Sequence, residues 1–166
     1  EGAMNRNMYF SSVLGCNLGM FYKRRDYTRV VNGRNPIVAH EYLGDSVEGK
    51  TVFIADDIIA SGESMLEVAS NLKARGAKRI IADATFPLFT SGLDKFDKAV
   101  EEGTLDYVVG TNLTYRKPEL LNRDWYVDVD VSKYAAYFIV ALNHDMSVSS
   151  IIDPIKKIEA LLASRK

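Results

Sequence analysis

Features that would take this chain out of ordinary reducing, aqueous surroundings are scarce in it. A single cysteine, Cys16, excludes an intramolecular disulfide and suits a reducing compartment, so a cytoplasmic location is expected. Basic residues number 21 against 22 acidic ones, and a net charge of −1 gives no bulk attraction to nucleic acid or to an anionic membrane. No apolar run approaches the ~20 residues that span a bilayer. The residues given show no signal-peptide pattern, low-complexity tract or internal repeat. His40, His144 and Cys16 are too scattered for a zinc site. No G-x-S-x-G elbow supports serine hydrolase chemistry. What is present is 166 residues, about one domain, of which 47% are hydrophobic, enough for a core.

Strand-like and helix-like segments alternate along the chain. A short helix is expected over 4–14, with Met4, Met8, Val13 and Leu14 on one side, followed by a strand over 17–23. Residues 24–36 hold four arginines, two asparagines, a glycine and a proline, and read as a long mobile loop. Strands follow at 37–43 and 51–55, with a turn over 44–50 between them. The second is a short continuous apolar run of the kind buried on both faces.

The best-marked helix comes next. Ser64 suits its N-cap, and Glu67 completes a capping box. Met65, Val68, Ala69 and Leu72 fall on one face, Lys73 and Arg75 suit the C-terminal end, and Gly76 suits a left-handed stop. Strands over 78–84, 105–110 and 125–131 are interleaved with a helix over 91–101 that turns Leu93, Phe96 and Val100 inward. A helix from Ser132 to about His144 is expected to bury Tyr134, Ala135, Phe138, Ile139 and Leu142. Asp153-Pro154 opens a last helix as cap and first-turn proline. Such alternation specifies an α/β fold with a mostly parallel twisted sheet flanked by helices. Ligands of such sheets gather at the carboxyl ends of the strands.

The segment "GDSVEGKT", residues 44–51, matches the pattern of a P-loop but lacks its context. A P-loop needs a helix after it, whereas Thr51 opens a strand, and Asp45 and Glu48 would put negative charge inside a phosphate cradle. "NLT" at 112–114 is a glycosylation pattern without a secretory context. "FIADDIIASGES", residues 53–64, is different. Asp56 and Asp57 end an apolar run and lead through Ala60, Ser61, Gly62, Glu63 and Ser64 into a helix N-terminus. Backbone amides and the positive end of the dipole there can grip a phosphate. The carboxylates can accept hydrogen bonds from sugar hydroxyls or hold Mg2+. An exposed strand end beside an ordinary cap accounts for the same spacing. "YKRRDYTR", residues 22–29, offers Lys23, Arg24, Arg25 and Arg29 to polyphosphate, or simply forms a solvated loop.

"KRRD", "EYLGDSVEGKTVFIADDIIASGES", "GAKRI" and "SVSSI" occur in an order and spacing that resembles the C-terminal half of ribose-phosphate pyrophosphokinase, over nearly the whole chain. The centre, "FIADDIIASGES", resembles the sugar-phosphate loop of type I phosphoribosyltransferases. The resemblance implies a single phosphoribosyltransferase-like domain over 1–166, belonging to a longer two-domain protein. It also implies transfer of the β,γ-diphosphoryl group of MgATP to ribose 5-phosphate, with Mg2+ as cofactor, in a homo-oligomer between dimer and hexamer. Lys23 and Arg25 would stabilise the transferring charge. Ala60, Ser61, Gly62, Glu63 and Ser64 would hold the 5-phosphate, and Asp56 with Asp57 the ribose hydroxyls. Residues 24–36 would order over ATP as a lid.

"EGAMNRN" resembles the family's Ser-Pro-Asp-x-Gly-Gly-x-x-Arg entered after its metal-site aspartate, with Gly2 and Arg6 in register. The metal residue would then precede Glu1, other ATP contacts would lie in a missing half, and this chain alone is expected not to catalyse. Three positions depart from the family: Ala60 for a usual aspartate, Glu63 for a common glycine and Tyr22 for a common aspartate. They keep two alternatives open, a phosphoribosyltransferase that consumes phosphoribosyl pyrophosphate and a non-catalytic regulatory or sensing relative.

Overall fold

Four of the six segments predicted as strands pair in parallel. The computed structural model describes the backbone of residues 3–25 and 37–164, and the side chains of residues 3–22 and 41–164. In chain order the elements are α1 (Met4–Leu14), β1 (Met20–Arg25), β2 (Ile37–Leu43), β3 (Thr51–Ile59), α2 (Glu63–Ala74), β4 (Arg79–Pro87), α3 (Asp94–Glu101), β5 (Tyr107–Thr111), α4 (Pro118–Leu121), β6 (Tyr126–Val129), α5 (Ser132–Asn143), α6 (Ser149–Ile152) and α7 (Ile155–Ala163). β3, β4, β5 and β6 form a four-stranded parallel sheet in that order, with a helix between each consecutive pair. β1 and β2 form a separate antiparallel ribbon in which Lys23 pairs with His40 and Arg25 with Ile37.

β1 starts later than predicted and carries Arg24 and Arg25, which are strand rather than loop residues. The rest of the predicted mobile loop, 26–36, lies outside the described residues. "GDSVEGKT" is a turn, with the Lys50 amide donating to the Val47 carbonyl at 3.0 Å, and Thr51 opens β3 as expected.

The core lies between one face of the sheet and helices α2 and α3. Ile80, Ala82 and Ala84 of β4 and Val108 of β5 meet Met65, Ala69 and Leu72 of α2 and Phe96 and Ala99 of α3. The alanines of β4 leave room for the helices to lie close. Phe89, Phe96, Trp125 and Tyr126 pack as an aromatic group with ring centroids 4.9–6.2 Å apart. Burying a side chain such as Phe96 contributes about 2–3 kcal/mol. At the rim, the Asp97 carboxylate accepts from Arg123 Nε (2.9 Å), Arg123 Nη2 (2.8 Å) and Trp125 Nε1 (2.7 Å). This joins α3 to the segment that leads into β6.

Three sequence expectations fail on packing. β3 runs nine residues rather than five and is not buried on both faces: Phe53 is 42% exposed, while Ala55 and Ile59 are buried. The strand lies at the margin of the sheet, where α1 covers only part of its outer face. α1 is rotated from its predicted orientation. Met4, Met8 and Leu14 are exposed, and the helix docks instead through Phe10, edge-on to Phe53 at 5.8 Å, and through Asn7 Nδ2, which donates to the Ala55 carbonyl at 2.9 Å. α5 exposes Tyr134, Ala135, Ile139 and Leu142, leaves Phe138 half-buried and buries only Ala141. Its sequence is apolar nearly all round, so no stripe singled out the inward face.

The helix ends agree better. Gly76 takes φ +85° after α2, and the Ala77 amide donates to the Leu72 carbonyl at 3.1 Å, the left-handed stop that was expected. At α7 the cap position falls to Pro154 rather than to Asp153, one residue later than expected, and Asp153 accepts from the Ile155 amide at 3.1 Å.

Candidate functional site

Asp56 and Asp57 are not the last residues of their strand. β3 continues through Ile58 to Ile59, so the pair sits within its carboxyl-terminal half, with Asp56 beside Ala84 of β4. The Asp57 amide donates to Asp56 Oδ1 at 2.8 Å. Burial raises the Asp56 carboxyl above its ordinary value; the Asp57 amide opposes that shift and the Asp57 carboxylate adds to it. Exposed Asp57 is held below its ordinary value by its hydrogen bond with Asp56. At neutral pH the pair presents acceptor oxygens suited to sugar hydroxyls.

After Ile59 the chain turns through Ala60, Ser61 and Gly62 and is clamped to the end of β4. The Leu88 amide donates to the Ile59 carbonyl at 2.9 Å and the Thr90 amide to the Ala60 carbonyl at 2.9 Å. Gly62 caps α2 with φ +80°. Helix α2 thus starts two residues before the predicted position. Ser64 is its second residue, no side chain caps the helix, and the predicted capping box is absent. The first helical bond runs from the Leu66 amide to the Gly62 carbonyl at 2.9 Å, so the Ser64 and Met65 amides precede the helical ladder. The Glu63 amide faces Ser61 Oγ at 3.4 Å. Amides and dipole converge here on the solvent side of a fixed turn, which can hold an anion.

The Glu63 side chain does not fold back over these amides. Its Oε1 is 2.7 Å from Lys95 Nζ of α3, and that hydrogen bond lowers its pKa. The carboxylate that the sequence placed beside a phosphate is therefore turned toward a cation.

Two residues near the acidic pair gave no separate site prediction. Asp83 stands beside Ala55 on the neighbouring strand, and burial raises its pKa while the charge of Arg6 opposes the shift. Arg6 also acts on Asp56 and Asp57, and its Nη1 is buried without a hydrogen-bond partner. The signal for Asp83 was an acid in the middle of an otherwise apolar strand.

Lys23 and Arg25 are placed by backbone only, on β1. The base of the ribbon is anchored where Arg75 lies over the rings of Phe21 (6.0 Å) and Tyr42 (5.3 Å). Arg75 caps the far end of α2 from the anion-binding turn, and 12 residues of helix at about 1.5 Å each separate them. The described residues thus bring Asp56, Asp57 and 60–64 into one continuous segment, and Lys23 and Arg25 lie on the ribbon strand β1.

Sequence comparison finds the phosphoribosyl transferase domain over residues 1–131. A ribose-phosphate pyrophosphokinase of Wolinella succinogenes is 35% identical over 118 residues, covering 71% of this chain and 35% of that protein. One of Thermotoga maritima is 30% identical over 152 residues, covering 90% of this chain and 44% of that protein. The chain thus spans less than half the length of either relative. In fold it is similar to phosphoribosylpyrophosphate synthetase from Mycobacterium smegmatis, with a TM-score of 0.70 and 20% identity over 87% of this chain and 43% of that one. A domain match that takes in β3, the acidic pair and the turn into α2, together with the parallel sheet that carries them, shows that this chain belongs to the phosphoribosyl transferase domain family.

Proposed function

We propose that this chain is the ribose-phosphate-binding part of a ribose-phosphate pyrophosphokinase. The whole protein would transfer the diphosphoryl group of ATP to the 1-hydroxyl of ribose 5-phosphate, giving 5-phosphoribosyl 1-pyrophosphate and AMP. The observation that carries this reading is one continuous segment, 56–65, with a carboxylate pair at one end and unladdered amides at the other. The relatives that share this segment are named for that reaction.

In this reading Asp56 and Asp57 accept from the ribose hydroxyls, orienting the sugar, while Ala60, Ser61, Gly62, Glu63 and Ser64 hold the 5-phosphate through backbone and hydroxyl groups. Lys23 and Arg25 neutralise charge on the transferring group. Mg2+ fits the exposed Asp57 and half-buried Asp56. Among the described residues no cluster of three His, Cys, Asp or Glu forms a closed cage, and magnesium carried by one or two carboxylates plus substrate phosphates needs none. When bound, the ion supplies charge neutralisation at the phosphoryl oxygens. The expected setting is a cytoplasmic homo-oligomer.

Calorimetry with ribose 5-phosphate tests the site: heat from the unmodified chain and none from Asp56→Ala is expected, and equal heats would overturn it. AMP formation from ATP and ribose 5-phosphate by the full-length protein tests the reaction. Lys23→Ala is expected to lower kcat by about 10²–10³.

The phosphoribosyl transferase domain match favours a second reading, a transferase that consumes phosphoribosyl pyrophosphate. It predicts pyrophosphate release with a nucleobase and no AMP. A non-catalytic relative draws its support from Ala60 and Glu63, and the Lys95 contact of Glu63 weakens that support.

A further inference from the structure

Glu63 is the first residue of α2, where a carboxylate competes with any incoming anion for the same amides and the same dipole. What distinguishes this carboxylate is its partner. Lys95 Nζ approaches Glu63 Oε1 at 2.7 Å from a different helix, 32 residues along the chain. The approach follows from the core. Phe96, next to Lys95, is fully buried beneath the turn, and only the missing Cβ of Gly62 makes room for its ring. Seating Phe96 there sets the first turn of α3 beside the first turn of α2. Both side chains of the pair are largely exposed, at 69% for Glu63 and 49% for Lys95. An exposed pair of this kind contributes little to folding. Its consequence lies in the charge it leaves at the helix end.

We propose that Lys95 is a positioning residue for the anion-binding turn: it draws the Glu63 carboxylate away from the amides of α2 and thereby sets the affinity of this helix end for a phosphorylated sugar. The proposal rests on the reading of residues 60–64 as the phosphate cradle. No covalent step is involved. With Lys95 present, an arriving phosphate meets a neutralised pair. Without it, the phosphate meets an unpaired carboxylate already attracted to the same dipole.

The test is calorimetric titration of the full chain with ribose 5-phosphate at neutral pH, using Lys95→Gln, Lys95→Arg, Glu63→Gln and the double variant Glu63→Gln/Lys95→Gln. Lys95→Gln is expected to weaken binding about fivefold, the scale of one charge at a helix terminus. Lys95→Arg keeps the ion pair and should bind as the unmodified chain does. The double variant should recover the affinity that Lys95→Gln loses, a rescue that a purely structural lysine would not show. Matching melting curves by circular dichroism would tie the change to charge rather than to folding. Unmodified affinity in Lys95→Gln, or a double variant as weak as Lys95→Gln, overturns the role of Lys95 and leaves the cradle standing. No heat from the unmodified chain overturns the cradle, and the role of Lys95 with it.

Discussion

Gly62 lies directly over the ring of Phe96: a Cβ on the glycine would come within 2.3 Å of Cε2 and of Cζ. Its φ of +80° is also a conformation that side chains disfavour. Gly62→Ala should therefore destabilise by about 2–5 kcal/mol, adding overpacking to left-handed strain. Gly92 has φ +82° but nothing within 4 Å of its Cβ position, so Gly92→Ala should cost only about 1–2 kcal/mol. Denaturant unfolding of both variants checks the contrast. Equal losses would mean that the ring yields without cost.

Asp97 ties α3 to Arg123 and Trp125, and its charge should make stability depend on acid. Burial opposes the charged form, but the hydrogen bonds from Arg123 and Trp125 outweigh it and hold the carboxyl below its ordinary value. The unfolded chain therefore takes up this proton first as pH falls. The contribution is complete above the unfolded value of about 4 and is lost as pH drops through the lower native value. Asp97→Asn should be less stable than the unmodified chain at neutral pH, with a gap that closes in stronger acid. Thermal melting across that range would show it, and a gap independent of pH would count against an ionic role.

Asp83 should behave in the opposite sense. Burial raises its pKa, and the positive charge of Arg6 only partly offsets this. The native state then holds the proton more tightly than the unfolded chain, and stability falls as pH rises from about 4 through the raised value. Asp83→Asn is expected to be more stable than the unmodified chain at neutral pH and equal to it in acid. A variant that loses stability at neutral pH would show that the attraction of Arg6 dominates.

The Asn7 bond to the Ala55 carbonyl pins α1 across β3. Asn7→Ala should cost about 1 kcal/mol. It should also speed amide exchange over 4–14 more than over β4. Unchanged exchange in α1 would assign its docking to the Phe10–Phe53 contact alone.

Much of the site was legible because it is local. Asp56, Asp57 and residues 60–64 are neighbours in sequence, and a strand-to-turn-to-helix transition brings them together wherever it occurs. The boundary errors at β3 and α2 have one cause. Ile58 and Ile59 pair with Phe86 and Pro87 on β4, which extends the strand past the acidic pair, and Gly62 takes the cap position in place of Ser64. Neither the β4 partner nor the Phe96 ring beneath Gly62 is visible from the local pattern. The orientation of α1 eluded sequence reading for a similar reason. Its docking depends on Phe53 and on the Ala55 carbonyl, about 50 residues away, rather than on its own methionines.

By itself the sequence determined the order of the six strands and the longer helices, though not the single-turn α4 and α6, and with it the mostly parallel α/β class and the acidic pair followed by small residues. These follow from side-chain periodicity and backbone preference, which are properties of adjacent residues. Only the tertiary structure decided where the Glu63 carboxylate points, that Asp83 stands beside Ala55 near Arg6, and which sides of α1 and α5 turn inward. Those outcomes depend on which distant groups share a small volume, and close packing settles that after the local elements have formed.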